Sequence, residues 1–139
     1  MTQTEWSHLP NAKHIDWVIA SIKVNPEKWL SARQTRGKVW DAALDAIDDA
    51  GRYETFDAAR TVVFDAVWNV AGALWAASDA ALDTIIALIA YDDCGYMIES
   101  EIGELKIIAA FGDSRAILLL PACIVFNETK ALTTDSFAV

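Results

Sequence analysis

TVVFDAVWNVAGALWAASDAALDTIIALIAY, residues 61–91, is the stretch whose reading decides the fold. Its polar residues are Thr61, Asp65, Asn69, Ser78, Asp79, Asp83 and Thr84, and Gly72 extends the row. Their spacings are mostly three, four or seven, which on a helix trace one narrow stripe. The rest of the circumference is apolar, including Val63, Phe64, Val67, Trp68, Trp75, Leu82, Ile85, Ile86, Leu88 and Ile89. A helix apolar over most of its surface belongs inside a protein with other helices packed on it. The fold class expected is all-α: a compact bundle of six or seven helices around a buried helix over about 55–91. A kink near 78 is accommodated by the capping pair Ser78-Asp79. Trp68 and Trp75 are expected in the core.

The flanking segments fit this bundle. Residues 1–10 read as an arm whose apolar anchors are Trp6 and Leu9. Asn11 reads as the N-cap of a helix over 11–24, in which Ile15, Val18, Ile19 and Ile22 recur at i, i+3, i+4 and i+7. Asn25-Pro26 starts a second helix, with proline at the first helical position. It turns Trp29 and Leu30 inward and runs out in SARQTRGK, 31–38, an exposed basic turn. A third helix over 38–50 buries Val39, Trp40, Ala43, Leu44 and Ile47 and is ended by Gly51. Residues 92–100 lose periodicity and read as a turn. Ser100 then caps a helix reaching Phe111, inward through Ile102, Leu105, Ile108 and Ala109. Gly112-Asp113 closes that helix and caps the last one, 114–127, which Pro121 is expected to kink or split. Residues 11–127 form a single domain in this reading, and 128–139 a polar tail.

Charge is unevenly placed. Residues 1–38 hold six Lys/Arg against three Asp/Glu, residues 39–104 two against fourteen, and residues 105–139 three against three. The net values are +3, −12 and 0, which make up the total of −9. No Lys or Arg occurs between Ala66 and Leu105. A nucleic-acid surface needs the opposite sign, so direct nucleic-acid binding is not expected. No membrane span is expected either: although mean hydropathy is +0.23, aspartates interrupt every window long enough to cross a bilayer. No basic segment followed by a short apolar run opens the sequence, so a soluble cytoplasmic protein is expected.

The sequence lacks the common motifs that carry chemistry. There is no phosphate-binding G-x-x-x-x-G-K-[ST], no G-x-G-x-x-G after a strand, no H-E-x-x-H and no G-x-S-x-G. Cys94 and Cys123 are too few for a disulfide scaffold and read as reduced, buried thiols. His8 and His14 read as helix-surface residues without a carboxylate cluster. Asp92, Asp93, Glu99, Glu101 and Glu104 match no calcium loop, and acids are expected before a helix start from its dipole alone. A non-enzymatic protein with neither metal nor cofactor is therefore expected.

The strongest candidate surface is the acid row Asp41, Asp45, Asp48 and Asp49, opposite Trp40, Leu44 and Ile47, with Asp57 nearby. Like charges at i, i+4 cost about 0.2–0.5 kcal/mol per pair, so the row does not help the fold. Solubility or attraction to a basic partner accounts for it. The alternative is a phosphate-binding turn built from Lys28, Arg33, Arg36 and Lys38, which would suit a nucleotide signal. Self-assembly through unburied Trp and Ala faces is a further alternative, with a homo-oligomer as its product.

D-A-A-x tetrads recur as DAAL (41–44), DAID (45–48), DAAR (57–60), DAVW (65–68) and DAAL (79–82). With HIDWVIASIKVNPEKW at 14–29 and IALIAYDDCGYM at 86–97, they resemble uncharacterised Ala/Trp/Asp-rich helical proteins of bacteriophages and other mobile elements. The resemblance spans roughly residues 9–127. It implies a phage origin and a place in the host cytoplasm. It also implies, as an expectation, an inhibitor acting on a host defence or nucleic-acid-handling protein that offers a basic surface.

Overall fold

The computed structural model describes residues 6–33, 43, 61, 75–91 and 94–132. Among them every regular element is helical: α1 (Ala12–Val24), α2 (Pro26–Arg33), α3 (Trp75–Ala90), α4 (Ile102–Ala110) and α5 (Ser114–Leu132), with a 3-10 turn at Gly95–Glu99. The upstream part of the long helix expected over 55–91 lies outside the described residues, as do Trp68 and the side chain of Trp75. Of the helix expected over 38–50, Ala43 alone is described, and it is helical and buried.

α1 forms where its apolar residues repeat. Ile15, Val18 and Ile22 are fully buried and Ile19 is half-buried, so one stripe faces the core. The helix stops at Asn25, whose N–H donates to the Ser21 carbonyl at 2.7 Å. Pro26 disfavours helical geometry at the residue before it and then supplies the first position of α2. The Asn25 carbonyl accepts from Lys28 and Trp29, opening the new helix. Trp29 is wholly buried, and its indole N–H donates to the Ser21 hydroxyl at 3.0 Å. Trp17 packs between Trp29 and Phe126, at 6.2 and 5.6 Å between ring centroids, the second edge-on. That arrangement joins α1, α2 and α5. Ahead of α1, Trp6 and Leu9 are buried in a turn, and the Trp6 indole N–H donates to Asp16 at 2.9 Å.

α3 is enclosed over most of its described surface. Ala80, Ala81 and residues Thr84 to Ile89 are buried, while Leu82 and Asp83 are partly exposed. It packs on α1, α2 and α5. Thr84, part of the polar row in the sequence, has no exposure to solvent. Its hydroxyl lies 3.0 Å from the Ala80 carbonyl of its own helix and 3.2 Å from the Leu118 carbonyl of α5. The two carbonyls share the one hydroxyl proton, so this contact joins α3 to α5 while the hydroxyl also keeps a partner in its own helix.

α4 and α5 form a helical hairpin across Gly112, whose φ of +89° suits a residue without Cβ. The Gly112 N–H donates to the Ala109 carbonyl at 2.9 Å and the Asp113 N–H to Ile108 at 3.4 Å. Asp113 caps α5 as the sequence indicates, its carboxylate accepting from the N–H groups of Arg115 and Ala116. Pro121 does not split α5, which is one helix from Ser114 to Leu132. The helix also continues beyond Asn127, where the sequence loses its apolar pattern. There Thr129 bonds back to the Val125 and Phe126 carbonyls, and Glu128 lies 3.7 Å from Lys28 of α2.

Two sequence expectations about α4 need correction. Ser100 does not cap it: Glu101 holds the N-cap position without a side-chain cap bond. The Ser100 carbonyl instead accepts from the Cys123 thiol at 3.2 Å and the Asn127 amide at 3.1 Å. Ile108, expected inward, is exposed; Leu105 alone is fully buried, with Ile102 and Ala109 at the margin.

The Asp113 carboxyl is held below the usual carboxylate range, chiefly by the Arg115 guanidinium bonded to it; burial opposes this as the next largest influence, and the N–H groups of Ala116 and Arg115 add to the lowering. A depressed carboxyl stabilises the fold above its unfolded value, about 3.9, and loses that contribution as the pH falls through the lower folded value. Asp113→Ala should therefore cost about 1 kcal/mol at pH 7 in urea unfolding. The gap from wild type should close as the pH is taken through the acid range below 4.

Candidate functional site

The densest polar constellation among the described residues joins the start of α1 to the end of α3. Asn11 stands at the N-cap position of α1 with φ −94° and ψ 14°, yet its side chain makes no cap bond there. Its amide nitrogen donates to the Leu88 carbonyl at 3.0 Å and the Tyr91 carbonyl at 2.6 Å, and its amide oxygen accepts from the Gly95 N–H at 3.2 Å. Asn11 is only 5% exposed. The expected N-cap is therefore a clamp on the far end of another helix. The last carbonyls of a helix have no intrahelical donors, and when they are buried a side chain must supply them.

Gly95 is required beside this clamp. A Cβ there would sit 2.5 Å from Asn11 Oδ1 and 2.6 Å from His14 Nδ1. Cys94 is fully buried, with its sulfur 3.3 Å from the Tyr91 carbonyl and 3.5 Å from that of Ala87. It shows no face to a substrate and packs as a small apolar residue. One turn along α1, His14 Nε2 lies 2.8 Å from Glu99 Oε2, with side-chain exposures of 13% and 40%. His14 is therefore not the surface residue expected from sequence; the 3-10 turn brings a carboxylate to it from 85 positions away. The amide, glycine and thiol act as a structural lock.

Of the acid row, Asp41, Asp45, Asp48, Asp49 and Asp57 lie outside the described residues. So do Arg36 and Lys38 of the alternative phosphate site, and Asp92 and Asp93. Lys28 is half-buried and engaged with Glu128. Arg33 follows it by five residues, about 140° around the helix at 100° per residue, so α2 carries the two on different faces. Among the described residues no three of His, Cys, Asp and Glu form a group able to hold a metal ion. Among them also, no helix is long and apolar enough to cross a membrane.

A surface that the sequence reading missed lies on α4. Ile107 is 60% and Phe111 86% exposed, and Ile108 and Tyr96 of the adjoining turn are exposed with them. Single exposed apolar residues are ordinary, but a row of large ones on a nine-residue helix is not. The signal available was the run IIAAF at 107–111, too apolar to divide into faces by pattern alone.

Compared with protein-family models, curated proteins and solved structures, the chain shows no match.

Asn11→Ala would strip donors from two buried carbonyls and an acceptor from one N–H, and is expected to cost about 2–4 kcal/mol in denaturant unfolding. Gly95→Ala should cost at least about 2 kcal/mol, because Asn11 cannot swing aside without breaking the same bonds. The two losses should be far from additive in the double variant, since both changes disrupt one contact.

Proposed function

We propose that this chain is a non-enzymatic binding protein whose acidic middle region is drawn to a basic surface on a partner protein. The observation that carries the reading is charge segregation: fourteen Asp/Glu against two Lys/Arg over residues 39–104. Charge of one sign concentrated in this way raises association rates with an oppositely charged partner and suppresses contact with nucleic acid. The acid row Asp41, Asp45, Asp48 and Asp49, with Asp57, is the assigned attraction site. The fold proposed to carry it is the full bundle of six or seven helices around the 55–91 helix. The resemblance of the D-A-A-x tetrads to phage proteins supports a partner from host defence or nucleic-acid handling, met in the host cytoplasm. A nucleotide-binding role is less well supported, because Lys28 is engaged with Glu128.

Changing Asp41, Asp45, Asp48 and Asp49 together to Asn tests this. A partner captured from host lysate and then purified should bind wild type with an affinity that falls steeply between low and high salt. The Asn variant should bind at least tenfold more weakly at low salt, chiefly through slower association, with its melting temperature little changed. Equal binding by the two proteins would leave the row a solubility device and end the proposal.

A further inference from the structure

We propose that the solvent face of α4 is a docking surface for an amphipathic helix of the partner, one that carries basic residues beside its apolar stripe. At 100° per residue, Ile107 lies opposite the buried Leu105, and Gly103 and Phe111 lie about 40° to either side of it. Gly103, Ile107 and Phe111 thus form one row, i, i+4 and i+8, with Ile108 along its edge, and all four are exposed. The 3-10 turn adds the exposed Tyr96 at the N-terminal end of α4.

Gly103 gives a second, independent sign. Gly103 is the second residue of α4, and glycine is a poorer helix former than alanine. Its own fold does not call for it, because a Cβ there would meet nothing within 4 Å. An open notch at one end of an apolar row lets another helix approach closely. Phe111 and Ile107 supply the large groups that such a helix buries.

Charge selects the occupant. Glu101 at the start of α4 and Glu104 beside Phe111 are exposed, with the exposed Lys106 on the other flank of the row. An apolar helix edged with Lys or Arg meets complementary charge on this rim. A second copy of the chain does not: antiparallel two-fold pairing of α4 brings Glu104 to the side of its own equivalent, between molecules that each carry −9. The sign of the partner rests on the basic-partner reading above, whereas the place of docking does not depend on the acid row at 41–57.

The probe is a fluorescein-labelled 18-residue helical peptide with Leu on one face and Lys along both edges. Two controls accompany it: a scrambled peptide of the same composition, and one with Glu replacing Lys. By fluorescence anisotropy, wild type should bind the Leu/Lys peptide at least tenfold more tightly than either control. Ile107→Ser with Phe111→Ser, which leaves the charge unchanged, should lose at least tenfold while the melting temperature stays within a few degrees. Gly103→Leu, which fills the notch without an internal clash, should weaken binding similarly and provides the test if the double variant unfolds. Binding unaffected by both sets of changes would overturn the assignment to α4. If that binding is still lost in the four-Asn variant, the basic-partner reading stands without it. Equal binding of the Leu/Glu peptide would sink the basic-partner reading instead. A concentration-dependent dimer, or binding to zwitterionic vesicles, that the Ser variant abolishes would give the face to a second copy or to lipid and overturn the proposal.

Discussion

A helix that ends inside a protein must find donors for its last carbonyls, and in this fold one side chain meets that demand. The Asn11 amide reaches Leu88 and Tyr91 with its nitrogen and Gly95 with its oxygen, and in doing so fixes where α1 begins relative to where α3 ends. Around it the rest follows. Gly95 has no Cβ because the space is occupied by Asn11 and His14. Cys94 is small enough to tuck its sulfur against the same carbonyl that Asn11 engages. His14, three residues further along α1, meets Glu99 as the chain leaves the lock. Water could have served these groups at a surface; buried, they depend on side-chain geometry.

A second buried polar contact joins α3 to α5. The Thr84 hydroxyl reaches the Leu118 carbonyl, one residue beyond Ile117, whose own carbonyl lacks an i+4 N–H because residue 121 is proline. Both helices bury small residues, Ala80, Ala81 and Ala87 on α3 and Ala116 and Ala122 on α5. The aromatic group Trp17, Trp29 and Phe126 links α1, α2 and α5. The core is held laterally by packing and longitudinally by a few buried hydrogen bonds.

What could be read from sequence and what could not divide along that line. Periodicity gave α1 through Ile15, Val18 and Ile22, and local stereochemistry gave Pro26 as a start and Gly112-Asp113 as a joint. These are signals whose causes lie within a few residues. Asn11 stands at the expected N-cap position, but only the tertiary structure reveals that its side chain serves the end of α3, and that Glu101 rather than Ser100 precedes α4. Pro121 was expected to kink or split α5, but a buried helix packed on α2, α3, α4 and the 3-10 turn loses one hydrogen bond without splitting. The apolar stripe of α4 was set one position wrong at Ile108, since the run IIAAF offers no polar residue to mark the outside. The candidate surface was correspondingly hidden: exposure of Phe111 and Ile107 is a property of what fails to cover them.

The lock also orders events in time. Residue 11 waits for residues 88 to 95, so the chain synthesised in between must exist without the contact that anchors its beginning. At about 5–20 residues per second, roughly 80 residues take some 4–16 s to appear on the ribosome. Through that interval α1 and α2 have each other and the Trp6–Leu9 turn among the described residues, with the Trp29 indole on Ser21 and its ring against Trp17 already within reach. Vectorial synthesis thus favours an early amino-terminal hairpin of two tryptophan-bearing helices, with Asn11 closing on α3 only after Gly95 has appeared and Trp17 meeting Phe126 later still.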